Sequence, residues 1–381
     1  MTKRRIRFGI IGLGLMGREF ASAVGRWAHL TNSTAQPEII AVCDTNSALF
    51  PWYTDSIPSI CQVTEDYRKL LENPDVEAVY CAIPHSLHEQ VYTDILKSGK
   101  HLLGEKPFGI DLAANEAINA EIAKHPDLIV RCASEFPYYP AVSKIMAEVA
   151  KGGLGDILQV EAGFLHSSDI NPDKVINWKR MIAVNGEYGC MGDLGMHVLH
   201  VPFRLGFKPL NVFAQLQNIV QERPNADGEI VPCETWDNAT LHCDVEGERG
   251  SFPMTLKTWR IAPGETNTWY FKILGSRRSF SFNTKEPRTL YSMNYTPGEP
   301  QEWRREDLGY TPVFPSITGG IFEFGFTDSI LQMWAAYIEE LSGVDVGQYG
   351  CVRPEEVADS HKLFTAALES QKSRQVVSID W

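Results

Sequence analysis

The chain has no CxxC pair, no apolar run long enough to span a membrane, no internal repeat and no surplus of positive charge. Without paired cysteine spacing there is no sign of a zinc ribbon or a disulfide framework. The eight cysteines (Cys43, Cys61, Cys81, Cys132, Cys190, Cys233, Cys243 and Cys351) are scattered, several of them inside apolar runs where a thiol acts as a small hydrophobe. That usage predicts a reducing compartment, and a cytoplasmic protein is expected. The basic start Lys3-Arg4-Arg5 lacks the apolar core of a signal peptide. A net charge of −13 argues against nucleic acid or an anionic membrane as partner. It leaves a small-molecule substrate open, because such a ligand senses only local charge.

What is present begins at residues 6–17, IRFGIIGLGLMG. An apolar, β-branched run reads as a strand buried on both faces, and it feeds directly into Gly12, Gly14 and Gly17, spaced GxGxxG, followed by helix-compatible residues. In a dinucleotide site the first glycine permits the turn and the second lets the pyrophosphate approach. The third lets the helix pack on the strand, and the helix N-terminus faces the phosphates. Glycine-rich turns are common, so the weight lies in the strand–turn–helix context. A second strand at 38–43 ends in Asp44, whose carboxylate suits ribose hydroxyls and repels a 2′-phosphate. No Arg or Lys occurs in Thr45-Asn46-Ser47, which favours NAD over NADP. The plain alternative for Asp44 is a turn residue. The stretch 27–37 reads as an extended loop.

Further on, helices at 64–71 (with Thr64 as N-cap), 89–97 and 111–124 alternate with strands at 76–83, 99–104 and 128–133. This predicts an α/β fold: a Rossmann, doubly wound parallel sheet over 1–135, with ligands at the carboxyl ends of its strands. From 136 to 381 the pattern changes. A helix at 140–151 precedes strands at 156–164, 211–220, 239–245, 252–260, 268–274, 278–282 and 288–291, then helices at 326–341 and 354–371 and a strand at 375–379. That reads as an α+β domain with a large mixed or antiparallel sheet. Within it, Asp193 and His197 stand four apart in GCMGDLGMH. On a helix they share a face, and a carboxylate beside an imidazole makes a general base. The spacing alone is a weak signal, since structural Asp–His pairs are common. Gly189 and Gly192 suggest a loop open to close approach. Asp193, His197 and His200 could also form part of a metal set, but a zinc site wants three or four converging ligands and His166 has no positional support, so no metal is expected.

GLGLMG, the IPHSLH stretch at 83–88, EKP at 105–107 and GCMGDLGMH together resemble the Gfo/Idh/MocA family of nicotinamide-dependent oxidoreductases. The resemblance implies catalytic roles for Lys106, Asp193 and His197. It implies NAD contacts from Gly12, Leu13, Gly14, Leu15, Met16, Gly17, Asp44, Ile83, Pro84, His85, His88, Glu105 and Lys106. Without the family, Lys106 reads as a solvated cation, and His85 and His88 as phosphate-side or loop-packing residues. Trp178 and Arg180 match a W-x-R feature of a sugar-oxidising subgroup similar to levoglucosan dehydrogenase, where it lies near the cofactor. Substrate contacts are implied from Lys106, Asp193, His197, Glu135, Tyr138 and His200. The last three depart from the family pattern, which often has aspartate at the place of His200 and asparagine and arginine before Pro140. The implied activity is NAD-dependent oxidation of a secondary hydroxyl of a sugar, cyclitol or polyol, in a homodimer or homotetramer. An NAD-recycling glycoside hydrolase and a nicotinamide-nucleotide sensor are the rival readings.

Overall fold

The computed structural model describes residues 3–309, 311–319 and 321–381. Two compact units form. One holds the chain to Tyr138 with Pro312–Gly319 and Gly325–Pro354, and the other holds Tyr139–Thr311 with Glu355–Trp381.

In the first unit β1 (Arg4–Ile11) leads into α1 (Leu15–Gly25). The alternation continues through β2 (Ala35–Cys43), α2 (Phe50–Ser56), β3 (Gln62–Thr64), α3 (Tyr67–Leu71), β4 (Ala78–Cys81), α4 (His88–Lys97), β5 (His101–Gly104), α5 (Leu112–Ile122) and β6 (Val130–Cys132). The strands lie in the order β3-β2-β1-β4-β5-β6, and every pairing is parallel. This is the expected Rossmann sheet, with its order reversing between β1 and β4. Ala78, Val79, Tyr80 and Cys81 are all buried, as a central parallel strand covered on both faces requires. Two local expectations change. The stretch 27–37 is not all loop: β2 starts at Ala35 and carries Pro37, tolerated because β3 pairs only with Ala41–Cys43 and leaves Pro37 on an edge. The N-cap of α3 is Asp66, which accepts from the Arg68 N–H at 3.0 Å, while Thr64 ends β3.

The second unit contains α6 (Pro140–Ala150), β7 (Ile157–His166), α7 (Ile182–Asn185), α8 (Met196–Arg204) and β8 (Pro209–Gln217). It continues with the short hairpin β9 (Glu222–Pro224) and β10 (Ile230–Pro232), then β11 (Asn238–Gly247), β12 (Gly250–Trp259), β13 (Asn267–Gly275), β14 (Arg278–Asn283), β15 (Thr289–Asn294) and β16 (Arg304–Asp307). After α9 (Phe326–Leu341), this unit is completed by α10 (Pro354–Ser373) and β17 (Val377–Ser378). Its sheet runs β16-β15-β14-β13-β7-β12-β11-β8-β17, mixed because β7 is parallel to β12 and antiparallel to β13. In the β11–β12 ladder Leu241, Cys243 and Val245 face Leu256, Met254 and Phe252 on the buried side. His242, Asp244 and Glu246 alternate with them and are exposed, so one face of the sheet is open in a single chain.

The expected division at 135/136 assigned α9 to the second domain, yet α9 packs in the first unit. The aromatic residues explain this. Trp334 stacks on Phe20 of α1 with ring centroids 3.5 Å apart and meets Phe8 and Tyr80 edge-on at 5.6 and 5.2 Å. Periodicity reveals that α9 has an apolar face, but not which core that face enters. Among the described residues no helix is long and apolar enough to cross a membrane. All eight cysteines are free thiols.

Candidate active site

The three glycines after β1 differ in what surrounds them. Gly12 has φ +93°, and a Cβ there would lie 2.1 Å from the Ala82 carbonyl oxygen just past β4, so the β1–α1 turn demands glycine. A Cβ on Gly17 would lie 2.3 Å from the Gly12 carbonyl oxygen, so α1 sits against the turn only because that atom is missing. A Cβ on Gly14 would meet nothing within 4 Å. Gly14 is therefore not needed for the fold, and it leaves open space at the N-terminus of α1, where a pyrophosphate fits. Leu15 beside it is 75% exposed, whereas the Leu13 side chain is in the core. Asp44 accepts from the Leu13 N–H through Oδ2 and from the Asn46 N–H through Oδ1, both at 2.8 Å. The carboxylate thus braces the glycine turn and its own turn together. Each oxygen keeps acceptor capacity for a ribose hydroxyl.

Lys106 follows β5 at the same carboxyl edge, on a loop held from several sides. The Tyr92 hydroxyl donates to the Glu105 carbonyl and the Tyr80 hydroxyl to Glu105 Oε1, both at 2.8 Å. Phe108 is buried with φ +66°, its ring on Tyr92 and its carbonyl accepting from Asn115 Nδ2 at 2.9 Å. A non-glycine residue in that conformation persists only where its surroundings over-determine it, which marks the loop as built for presentation. Lys106 itself is partly exposed. Its neighbours Ile83 and Pro84 are half-buried, while His85 and His88 are buried. The His88 Nε2–H donates to the Ile83 carbonyl at 3.1 Å, Nδ1 accepts from the Gly109 N–H at 3.4 Å, and the ring stacks on Tyr92. That is a loop-packing residue with both nitrogens in use.

β5 and β6 pair in register at Gly104 and Cys132, and the Ala133 N–H donates to the Gly104 carbonyl at 2.9 Å. Glu105-Lys106 and Ser134-Glu135 therefore leave the sheet side by side. Glu135 is buried, and burial first, with the Glu105 carboxylate second, pushes its carboxyl up to about 8.

In the second unit Met191–Gly195 form one π-helical turn that continues into α8. A π turn sweeps fewer degrees per residue than an α turn. The four steps from Asp193 to His197 therefore add up to roughly one revolution, which aligns the two side chains on one helix line. Asp193 is buried, and its Oδ2 accepts from Lys179 Nζ at 3.1 Å and from Arg260 Nη2. The His197 ring meets Phe164 edge-on at 5.6 Å, and its carbonyl accepts from the Trp269 indole at 2.8 Å. Two glycines of this segment, Gly189 and Gly195, are required by packing, whereas a Cβ on Gly192 would meet only ordinary contacts, the nearest at 3.4 Å from Tyr188. A Cβ on Gly189 would lie 2.7 Å from the Trp236 backbone nitrogen, and one on Gly195 would lie 2.5 Å from the Phe364 ring.

Three further residues with implied ligand contacts are buried, as Asp193, His197 and Glu135 are. Arg180 is fully buried and ion-paired with Asp237, with Asp169 at 3.8 Å, while Trp178 of the same motif stays partly exposed. His200 is buried beside Arg204 and Glu356, its Nδ1 4.0 Å from the latter. Burial, then Arg204, lowers it to about 3, so it stays neutral. Tyr138 lies in the core of the first unit with its hydroxyl 3.6 Å from Cys351 Sγ. Lys179, Arg260, Asp169 and Asp237 carried no sequence signal apart from the position of Lys179 inside the W-x-R motif. They lie far apart in the chain, and only the sheet gathers them.

Comparison with known proteins agrees with this architecture. The model of the Gfo/Idh/MocA oxidoreductase family, NAD-binding Rossmann fold, matches residues 6–132. Levoglucosan dehydrogenase of Pseudarthrobacter phenanthrenivorans is similar, 26% identical over 295 residues that make up 74% of each chain. Mouse trans-1,2-dihydrobenzene-1,2-diol dehydrogenase is 27% identical over 326 residues, covering 81% of this chain and 91% of that one. A structure of levoglucosan dehydrogenase with NADH and levoglucosan superposes with a TM-score of 0.88 at 20% identity, over 99% of this chain and 100% of that one. An oxidoreductase domain protein of Kribbella flavida gives a TM-score of 0.89 at 23% identity with the same coverage. At these identities the structural likeness is one of fold. What the family model matches is the dinucleotide-binding part, residues 6–132, which carry the NAD-binding Rossmann fold of the Gfo/Idh/MocA oxidoreductases with its glycine turn.

Proposed function

We propose that the protein oxidises a secondary hydroxyl of a sugar, cyclitol or polyol with NAD⁺, or reduces the matching ketone. The observation that carries this reading is the placement of Asp193 and His197 four residues apart on one continuous helical segment, with the Asp193 carboxylate anchored by two cations. The open space at Gly14 and the acceptor at Asp44 suit NAD, whose ribose hydroxyls would meet Asp44, and Ile83, Pro84 and His85 line the neighbouring strand end. When bound, the nicotinamide accepts the hydride from the carbinol carbon. His197 takes the hydroxyl proton, and Asp193 orients the imidazole and favours its charged form. Lys106 offers an ammonium to the developing alkoxide. Glu135, beside Lys106, contributes a substrate contact as a neutral acid that can donate a hydrogen bond. The open face of the second unit's sheet is the surface we assign to pairing with another copy of the chain.

The test is the appearance of reduced nicotinamide absorbance with purified protein, NAD⁺ or NADP⁺, and a panel of inositols, monosaccharides, anhydrosugars and glycosides, with His197→Ala and Lys106→Ala beside it. The expected result is a substrate-dependent rise with NAD⁺ that falls at least about 10²-fold in either variant. Cleavage of glycosides without net NADH formation would replace this reading with the recycling hydrolase. Full activity of His197→Ala would remove the base from it.

A further inference from the structure

Asp193 does not stand alone with its helix neighbour. Its Oδ2 is shared by Lys179 and by Arg260, the residue immediately after β12. Arg260 is 3% exposed, and its Nη1 lies 3.9 Å from Asp169 Oδ2, just beyond β7. Asp169 is also approached by Lys174 at 3.2 Å and by Arg180 at 3.8 Å, and Arg180 closes on Asp237. The chain of charge Lys179–Asp193–Arg260–Asp169–Arg180–Asp237 therefore runs from Asp193, four residues before the candidate base, into the interior. With Lys174 it holds four cations against three carboxylates. Burial alone would raise the Asp169 carboxyl, but Arg260, Lys174 and Arg180 more than offset it and keep it below its ordinary range. The network is anchored at its far end, because the Asp237 carbonyl accepts from the Arg260 N–H at 2.9 Å and Asp237 Oδ2 accepts from the Val220 N–H, also at 2.9 Å.

A carboxylate free of cations would draw a proton strongly onto a neighbouring imidazole. One that shares an oxygen with two cations draws it much less, since much of its field is cancelled at source. Against His197 lie the Phe164 ring of β7, edge-on at 5.6 Å, and the Trp269 indole of β13, which donates to the His197 carbonyl.

We propose that Arg260 is a positioning residue for the reaction: with Lys179 it fixes the rotamer of Asp193 and offsets its charge, so that His197 is oriented by a carboxylate without being trapped as imidazolium. This rests on the reading of His197 as the base. Lys174, Arg180, Asp169 and Asp237 form the rigid back of the device. The middle residue of Trp178-Lys179-Arg180 thus acts on Asp193, while the third builds the support behind it.

The experiment is a pH titration of the histidine ring protons by NMR on the full chain. The His197 signal is assigned by its loss in His197→Asn, and wild type, Arg260→Gln, Arg260→Lys and Lys179→Met are compared. Removing the Arg260 charge leaves Asp193 less compensated, which favours the imidazolium. The His197 midpoint is expected to rise by about one pH unit in Arg260→Gln and in the same direction, by less, in Lys179→Met, and to stay near wild type in Arg260→Lys. The acidic limb of kcat/KM, on the substrate found in the panel, moves with it. An unchanged His197 midpoint in folded Arg260→Gln would overturn the proposal and leave Arg260 a structural residue. Should Arg260→Gln fail to fold, Lys179→Met decides by the same criterion, since that lysine side chain is 36% exposed and its loss is better tolerated. A shifted midpoint in Arg260→Gln together with full activity of His197→Ala would uphold the charge coupling and refute the base assignment, so the two failures are distinguishable.

Discussion

Glu135→Gln isolates the buried acid beside the Lys106 loop. In the folded protein the Glu135 carboxyl is pushed up to about 8, by burial first and by the Glu105 carboxylate second. An unfolded chain releases that proton near the ordinary glutamate value. Between those values the folded state binds more protons than the unfolded one, so stability falls as pH rises from about 4.5 to about 8 and levels off above. A displacement of roughly 3.5 pH units corresponds to about 5 kcal/mol across the window. Glutamine has nearly the same shape and no charge to desolvate. The variant should therefore match wild type at the acid end and exceed it at pH 8 by up to about 5 kcal/mol. The assay is urea unfolding at half-unit pH intervals from 4.5 to 8.5, reading the difference between variant and wild type so that other titrating groups cancel. Parallel curves across the window would refute the reasoning, because they would mean that Glu135 ionises in the folded protein as it does in the unfolded chain.

Two further expectations separate ligand binding from folding. Gly14→Ala should melt within about 2 °C of wild type, because its Cβ enters open space, yet lose at least about tenfold in NADH affinity by fluorescence titration, whereas Gly17→Ala should lose stability because its Cβ meets the Gly12 carbonyl. Unchanged NADH affinity in Gly14→Ala would move the pyrophosphate elsewhere. Trp334→Ala should destabilise the first unit by about 3–5 kcal/mol in chemical unfolding, since it removes the ring stacked on Phe20. A loss below about 1 kcal/mol would show that α9 contributes little to that core.

The parts of this protein legible in its sequence are those encoded by short-range pattern. The β-branched run into GxGxxG, the alternation of strand and helix to residue 133 and the later series of alternating strands each follow from a local period or a turn residue, and the structure keeps nearly all of them. Asp193 and His197 were legible for the same reason, as neighbours on one helix, although the π turn that aligns them was not. What tertiary structure alone decided is who shares a buried neighbourhood. Trp334 belongs to the core under β1 despite following the second sheet in sequence. Arg180 closes on Asp237 and His200 lies beside Arg204 and Glu356, partners that no local pattern announces. Lys179, Asp169, Asp237 and Arg260 gather behind Asp193 from four separate segments. Charge pairing across tens of residues leaves no periodic trace in a single sequence, because its register is set by the sheet rather than by the chain. The sequence by itself determined which elements form and where the dinucleotide turn lies. The fold determined what surrounds Asp193, His197 and Glu135, because burial and the company of other charges arise only when the strands are placed side by side.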